Sequence, residues 1–136
     1  MTNLVERIES TFRAQSHLAP AILRIGLGLV FLAHAYAKAA VFTFPGTVGY
    51  FEANGIPGWT AYPVFVIEAV GGLALVAGFH ARLAAAALIP VMIGALVPHL
   101  GNGWMFTNAG GGWEYVAFLL VALVTQVLLG DGRRDA

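Results

Sequence analysis

The chain has 136 residues, of which 59% are hydrophobic and only 10% are charged. Soluble domains carry roughly 25% charged residues, so this composition excludes an ordinary soluble protein and predicts a membrane protein with no separate soluble domain. Seven Lys and Arg residues balance seven Asp and Glu residues, and without a basic block there is no electrostatic footprint for nucleic acid. The chain has no cysteine, which excludes disulfides, thiolate metal sites and thiol-relay chemistry, so redox chemistry needs a cofactor or a partner protein.

Four apolar stretches are each close to the roughly 17 to 25 residues with which a helix spans a bilayer. They cover about residues 20–42, 61–79, 83–99 and 113–129. We therefore expect an all-α transmembrane four-helix bundle that forms a single membrane domain over residues 1–136, with short interfacial helices at the N-terminus and in the first outer loop.

The segment before the first span, residues 1–17, is amphipathic. Apolar residues recur every four positions between charged ones, and Asn3 with Glu6 resembles a capping box. The pattern predicts a short helix on the membrane surface from Asn3 to Gln15. A frayed tail is the alternative.

Polar residues of the first span fall on one face of the helix. Pro20 suits the first turn, and Arg24, His34 and Lys38 lie within one arc at about 100° per residue. Arg24 is near the start of the span and is expected to extend toward the lipid headgroups. His34 and Lys38 lie toward the other end of the span. Their proximity to each other favours a functional role over a histidine that only packs and hydrogen-bonds in the core.

The connection after the first span predicts a second interfacial helix. Asn54-Gly55 followed by Pro57 is a helix-stop pattern, so a short helix is expected from Thr47 to Ala53. Aromatic residues in this connection suit the membrane interface. A cap over a pocket is the alternative interpretation.

Glu68 lies inside the second span, which is otherwise apolar. A carboxylate at membrane depth must face the bundle interior and have a partner. Gly71 and Gly72 lie on nearly the same face and let another helix approach closely. Two interpretations stay open, an ion pair that fixes helix register and a site that binds a ligand or handles protons.

The later connections set the order of the helices. His80-Ala-Arg82 is so short that it predicts an antiparallel hairpin of the second and third spans, and Pro90 should kink the third span. The last span should stop at Gly130-Asp131-Gly132.

The distribution of arginine predicts the orientation. Arg24 lies near the same side of the membrane as five further arginines, namely Arg7, Arg13, Arg82, Arg133 and Arg134, whereas the two long loops on the opposite side contain no Lys or Arg. By the positive-inside rule, both termini are expected in the cytoplasm, with the long loops facing outward.

Each of the four spans sends at least one ionisable side chain to the outer half of the bundle. We expect these side chains to line one polar pocket, formed by His34, Lys38, Glu68, His99 and Glu114. At about 1.5 Å of depth per residue, Lys38 and Glu68 are the expected ion pair.

Three uses of such a pocket compete. A quinone head group needs hydrogen-bonding partners at its carbonyl oxygens, and His, Lys and Glu beside aromatic rings supply them. Two histidines with two carboxylates could instead bind a divalent metal. No helix carries His and Glu three or four residues apart, so this signal is weak and no metal ligand is assigned. The charges could also serve only to fix helix packing.

An ordered set of motifs covers the chain from about Pro20 to Gly132. The motifs are Arg24-Ile-Gly-Leu-Gly, His34-Ala-Tyr-Ala-Lys38, Phe51-Glu-Ala-Asn-Gly55-Ile-Pro57, Glu68-Ala-Val-Gly-Gly, Arg82 with Ala84-Ala85, His99, Gly-Trp-Glu114-Tyr and Gly130-Asp-Gly132. As a set they resemble the DoxX family of membrane proteins. The sequence departs from the family pattern at Ala35, where glycine is common, and at Asp131, where proline is common. Neither departure alters the expected pocket residues.

The resemblance implies a four-helix transmembrane bundle and a link to redox complexes, since some relatives are subunits of a thiosulfate:quinone oxidoreductase. It favours an inner-membrane, redox-associated oxidoreductase subunit with quinone as the candidate cofactor and a membrane or peripheral redox protein as the partner. A non-catalytic structural or assembly subunit is the alternative, and a homo-oligomer is compatible with both. A small-molecule carrier is disfavoured because four short helices leave little room for alternating access.

Overall fold

A computed structural model describes residues 3–132, which form helices and turns and contain no β-strand. The α-helices of this part of the chain are α1 (Leu4–Ala14), α2 (Ala19–Tyr36), α3 (Thr43–Ala53), α4 (Ala61–Ala77), α5 (Ala81–Leu96) and α6 (Glu114–Leu129). The predicted all-α class is confirmed. Arg133 and Arg134, which contributed to the orientation argument, lie outside the described residues.

α1 begins with the capping box predicted from the sequence. Asn3 Oδ1 accepts the backbone N–H of Glu6 at 2.8 Å, and the Glu6 carboxylate accepts the backbone N–H of Asn3 at 3.2 Å. These bonds satisfy two N–H groups that no helical carbonyl can reach. No residue of α1 is buried, and Leu4 and Phe12 are 72% and 71% exposed. The described part of the chain therefore leaves the apolar face of α1 uncovered.

α2 passes directly into a π-helical turn over Ala37–Val41. The N–H of Phe42 donates to the carbonyl of Ala37 at 2.8 Å, a bond that spans five residues instead of four. α3 follows and starts at Thr43, four residues earlier than predicted. Pro45 does not prevent this early start, because a proline in the first turn removes an N–H that has no helical partner.

α4 and α5 form the predicted antiparallel hairpin. The turn lies at Gly78–His80, where Gly78 has φ 76° and His80 has φ 47°. Arg82 belongs to the first turn of α5 and not to the connection, which corrects the predicted hairpin turn. The N–H of Ala81, the first residue of α5, donates to Asp131 Oδ1 at 2.8 Å, so a residue just after α6 caps the first turn of α5.

Four helices pack side by side in a closed arrangement, with contacts of α2 to α4, α4 to α5, α5 to α6 and α6 to α2. Each helix contributes a fully buried apolar side chain to the core, namely Phe31, Leu75, Leu88 and Leu123. The core is thus built from all four helices.

Glycines set the distance between the helices. A Cβ atom added to Gly72 would lie 3.1 Å from the carbonyl oxygen of Gly28 on α2, and one added to Gly71 would lie 3.3 Å from Leu88 on α5. The close approach predicted at Gly71 and Gly72 is confirmed. The two neighbouring glycines serve two different helices, because successive residues of a helix point about 100° apart.

The outer surface of the helices is also apolar. Leu29, Val70 and Phe118 are each more than half exposed on α2, α4 and α6. Three helical segments are long and apolar enough to cross a membrane by length and composition, Leu4–Val41, Gly58–Ala77 and Ala81–Asn102. The fourth predicted span corresponds to α6, an apolar helix of 16 residues that is shorter than these three.

Candidate functional site

The pairing of Lys38 with Glu68 predicted from the sequence is present. Lys38 Nζ donates to both carboxylate oxygens of Glu68, at 3.1 Å to Oε1 and 3.0 Å to Oε2. Glu68 is 1% exposed. A buried carboxylate loses its hydration and depends on such a partner, so the pair joins the first half of α4 to the π-helical turn that follows α2.

Lys38 lies in the π-helical turn Ala37–Val41. Thr47 of α3, which is buried, donates its hydroxyl to the Lys38 carbonyl at 3.2 Å and to the Thr43 carbonyl at 2.8 Å. α3 thereby holds the turn that carries the lysine.

His34 lies one helical turn before Lys38 and faces α6. Its Nδ1 donates to the Val30 carbonyl oxygen at 2.7 Å, because a carbonyl can only accept, and Nε2 is the other polar atom of the ring. The His34 ring is stacked on Tyr115 of α6, with ring centroids 6.4 Å apart and 21° between the planes. His34 therefore connects the region of the ion pair with the start of α6.

Tyr115 also lines an open cavity of about 680 Å³, which we call the aromatic cavity. It is lined by four aromatic rings and one carboxylate, from Trp104, Phe106, Glu114, Tyr115 and Phe118. Glu114 Oε1 accepts the backbone N–H of Phe106 at 3.1 Å. Glu114 thus holds the loop that forms one wall of the cavity, and its carboxylate also reaches the cavity.

His99 serves the same loop from the end of the third span. Its Nδ1 donates to the Gly111 carbonyl at 2.9 Å, and Asn102 Nδ2 donates to the same carbonyl at 3.0 Å. Asn108 Nδ2 in turn donates to the Asn102 carbonyl at 3.0 Å. The loop over residues 103–113 is therefore tied down by side chains at both of its ends.

The five residues expected in one pocket thus have different surroundings. Lys38 and Glu68 bond each other, while His34, His99 and Glu114 each bond a backbone group. Among the residues described, no hydrogen bond joins His99 or Glu114 to the ion pair. Nor does any group of three or more His, Asp and Glu side chains within residues 3–132 come close enough to hold a metal ion.

At the opposite end of the bundle, Arg24 does not extend toward the lipid headgroups as predicted. Its Nη1 donates to the carbonyl oxygens of Leu75 and Val76 at 2.7 and 2.9 Å. These carbonyls end α4 and have no helical partner, so a cation there is favoured by hydrogen bonding and by the helix dipole. The two carbonyls of α4 lie within hydrogen-bond reach of the guanidinium, so the side chain is directed at the neighbouring helix.

Arg82 has a similar position on the other pair of helices. Its Nε donates to the Val127 carbonyl in the last turn of α6 at 2.7 Å. Together with the bond from Ala81 to Asp131, this contact joins the start of α5 to the end of α6. Arg24 and Arg82 thus both cap the C-terminus of a neighbouring helix.

Gln126 is a polar core residue that the sequence analysis missed. It is fully buried on α6, and its Nε2 donates to the Gly130 carbonyl at 2.7 Å and to the Pro20 carbonyl of α2 at 3.3 Å. Its position could have been predicted, because a glutamine in an otherwise apolar span indicates a buried polar residue, as Glu68 does. Gln126 joins α6 to α2, and few other polar contacts connect these two helices.

Comparison with known proteins gives two matches. The family model described as DoxX matches residues 19–101. Over 87 residues the chain is 29% identical to a Bacillus subtilis (strain 168) protein named "Putative oxidoreductase CatD". The aligned segment covers 60% of this chain and 63% of that relative. The match therefore spans less than two thirds of the relative's length. No solved structure gives a significant match.

Proposed function

This chain belongs to the DoxX family, whose model matches more than half of it, and from that premise we propose that it is a redox-associated subunit of a quinone-linked oxidoreductase. It is an integral membrane protein, and we place it in the inner membrane as one domain over residues 1–136. In this proposal α2, α4, α5 and α6 all span the bilayer, with both termini in the cytoplasm.

The observation that carries the proposal is the aromatic cavity beside a carboxylate. A quinone head group is a flat, electron-poor ring with a carbonyl oxygen on each side. Aromatic rings bind such a ring by offset stacking, and the cavity of about 680 Å³ is within the usual range of small-molecule sites. Tyr115 supplies a hydroxyl donor, and Glu114 supplies a carboxyl group that donates when it is protonated.

The polar residues behind Tyr115 complete the proposed site. His34 uses Nδ1 on the Val30 carbonyl, which leaves Nε2 as its other ring nitrogen, and its ring stacks on Tyr115. Lys38 and Glu68, one turn further along the bundle, provide the buried charges. A quinone takes up protons when it is reduced, and groups that hold protons within the bundle suit that chemistry. In this proposal His99 contributes by holding the loop.

The relative's name supports an oxidoreductase link, and the composition supports dependence on a partner. The chain has no cysteine, so this subunit carries no thiol or iron–sulfur ligand of that type. We therefore propose that a separate membrane or peripheral redox protein supplies the electrons, and that this chain binds the quinone.

Tryptophan fluorescence tests the proposal, because quinones quench tryptophan and Trp104 lines the aromatic cavity. The detergent-purified protein is titrated with menadione, a short naphthoquinone. We expect saturable quenching that is reduced in Trp104→Phe but not abolished, because Trp113 lies close by, and weaker binding in Tyr115→Leu and Phe118→Leu. Organic extracts of the untreated protein, analysed by mass spectrometry, should contain a quinone near one per chain.

The control is Phe12→Leu, which removes an exposed ring on α1, outside the cavity. It should bind menadione as the wild type does. Quenching that rises linearly without saturation, and equally in wild type and Phe118→Leu, would contradict a quinone site in this cavity.

A second candidate function is a structural or assembly subunit without a ligand. It is favoured by the hydrogen bonds of Lys38, Arg24 and Arg82, each of which joins two helices of the bundle. In that case the protein would be empty of quinone and would copurify with a cofactor-bearing partner. Affinity purification from the native membrane, followed by identification of partners and of bound quinone, separates the two functions.

A further inference from the structure

A second cavity, of about 620 Å³, lies at the end of the bundle away from the aromatic cavity. We call it the basal cavity. It is formed where the start of α2, the start of α5 and the end of α6 meet, next to the turn that follows α1. Its lining includes His17, His80, Arg82, Leu83, Leu129 and Asp131. The proposed function leaves this cavity without a role.

One side of the basal cavity is rich in hydrogen-bond donors. The Arg82 guanidinium has five N–H donors, of which Nε–H is used on the Val127 carbonyl. The backbone N–H groups of Arg82 and Leu83 lie in the first turn of α5, where no helical carbonyl reaches them. His17 and His80 add two imidazole rings to the lining. These groups suit an anion with several oxygen atoms.

The acidic residue of the lining is already engaged. Asp131 Oδ1 accepts the N–H of Ala81 at 2.8 Å, so its negative charge is directed at the start of α5. His17 Nδ1 donates to the Ala14 carbonyl at 3.2 Å, which leaves Nε2 as the other ring nitrogen.

The other side of the cavity is apolar and open to the surroundings. Leu83 and Leu129 line it and are 70% and 42% exposed. The uncovered apolar face of α1 begins one turn away from His17, at the same end of the molecule. A cavity with donors on one side and exposed leucines on the other matches an amphiphile with an anionic head. A free phosphate ion has no apolar part that could pack against the leucines.

We propose that the basal cavity binds the headgroup of an anionic phospholipid, with the phosphate on the guanidinium of Arg82 and the acyl chains along Leu83 and Leu129. This proposal does not depend on the quinone site, which lies at the opposite end of the bundle. The same lipid layer would also cover the exposed apolar face of α1, including Leu4 and Phe12.

Native mass spectrometry of the detergent-purified full-length protein tests the proposal. The protein is offered equal amounts of phosphatidylglycerol and phosphatidylcholine with matched acyl chains. Each cation near a lipid surface contributes roughly a fivefold preference for anionic lipid, so we expect phosphatidylglycerol to be retained at least about fivefold better. Arg82→Gln should lower that preference. Equal retention of the two lipids by the wild type would overturn the proposal.

Two neighbouring alanines provide a matched pair that leaves the charges and the hydrogen bonds of Arg82 intact. Ala86 lines the basal cavity, whereas Ala87 is exposed on α5 outside its lining. Ala86→Phe should fill the cavity and abolish the preference, and Ala87→Phe should keep it. Equal behaviour of the two variants would assign the lipid to the general surface and would overturn the cavity site.

An excess of inorganic phosphate distinguishes the two sources of the anion. If the headgroup and the acyl chains both contribute, free phosphate should leave most of the bound phosphatidylglycerol in place. Complete displacement would mean that the cavity takes a free phosphate, and the lipid assignment would be wrong. Menadione binding should be unchanged in Ala86→Phe, so a failure of the lipid site is distinguishable from a failure of the quinone site.

Discussion

Gly28 of α2 and Gly72 of α4 lie where the backbones of the two helices come into close contact. A Cβ atom on Gly28 would lie 2.7 Å from the Gly72 carbonyl oxygen and 2.9 Å from the backbone nitrogen of Val76. Both distances are shorter than real Cβ contacts allow, and backbone atoms cannot move aside as the end of a flexible side chain can.

Gly28→Ala should therefore separate α2 from α4 and destabilise the protein by about 1 to 3 kcal/mol, the usual cost of overpacking. Gly26→Ala is the matched control on the same helix, because nothing lies within 4 Å of a Cβ added there. It should be neutral or slightly stabilising, since alanine favours a helix by about 1 kcal/mol over glycine. Thermal unfolding in detergent measures both, and equal stability of the two variants would contradict the close contact.

The ion pair of Lys38 and Glu68 should show strong coupling. Glu68→Ala leaves the lysine charge without its partner in the bundle and should cost about 3 to 5 kcal/mol. The double variant Lys38→Ala/Glu68→Ala should recover much of that loss, because neither charge then remains. Unfolding of the two single variants and the double variant in detergent provides the measurement. Additive losses would show that the two side chains are not paired, and Glu9→Gln on exposed α1 serves as the control for removing a carboxylate.

Arg24 should contribute to stability through the end of α4. Arg24→Met removes two charge-assisted hydrogen bonds and should cost about 1.5 to 3 kcal/mol, whereas Arg24→Lys should recover part of this loss with its single nitrogen. Arg13→Met, on the exposed α1, should change stability little. If Arg24→Met were as stable as Arg13→Met, the arginine would not be bonded to the carbonyls of Leu75 and Val76.

The orientation can be tested by cysteine labelling, which is clean here because the chain has no cysteine of its own. A cysteine at Thr107, in the loop before α6, should react in intact cells with a maleimide that cannot cross the membrane. A cysteine at Ser10, on α1, should react only after the membrane is made permeable. The opposite pattern would reverse the proposed topology.

Hydropathy and local capping predicted most of the fold. The helix boundaries follow from apolar length, from the capping box at Asn3 and Glu6, and from glycine-rich stops, all of which are local features. The partner of Glu68 was also predictable, because a buried carboxylate needs a cation at the same depth and Lys38 was the candidate on the first span. The close helix contact was predictable from Gly71 and Gly72, because glycines leave room for a neighbouring helix.

The remaining features depend on how the elements meet in space. Arg24 has a long, flexible side chain, and only the crossing of α2 and α4 decides that it meets the end of α4. The π-helical turn at Ala37–Val41 is a shift in hydrogen bonding that leaves no trace in an alanine-rich sequence. The aromatic cavity joins a loop to α6, and periodicity carries no information on loop packing.

The π-helical turn also marks a place where the chain holds one residue more than a regular helix needs. Five residues, Ala37–Val41, fill a turn that an α-helix closes with one residue fewer. A π-helical turn takes up its extra residue locally, so deleting one alanine here should give a regular α-helical turn and leave the directions of the residues before and after it nearly unchanged. A deletion within the regular part of α2 would instead rotate everything after it by about 100° about the helix axis. At this turn the chain can lose one residue and α3 can still point in the same direction.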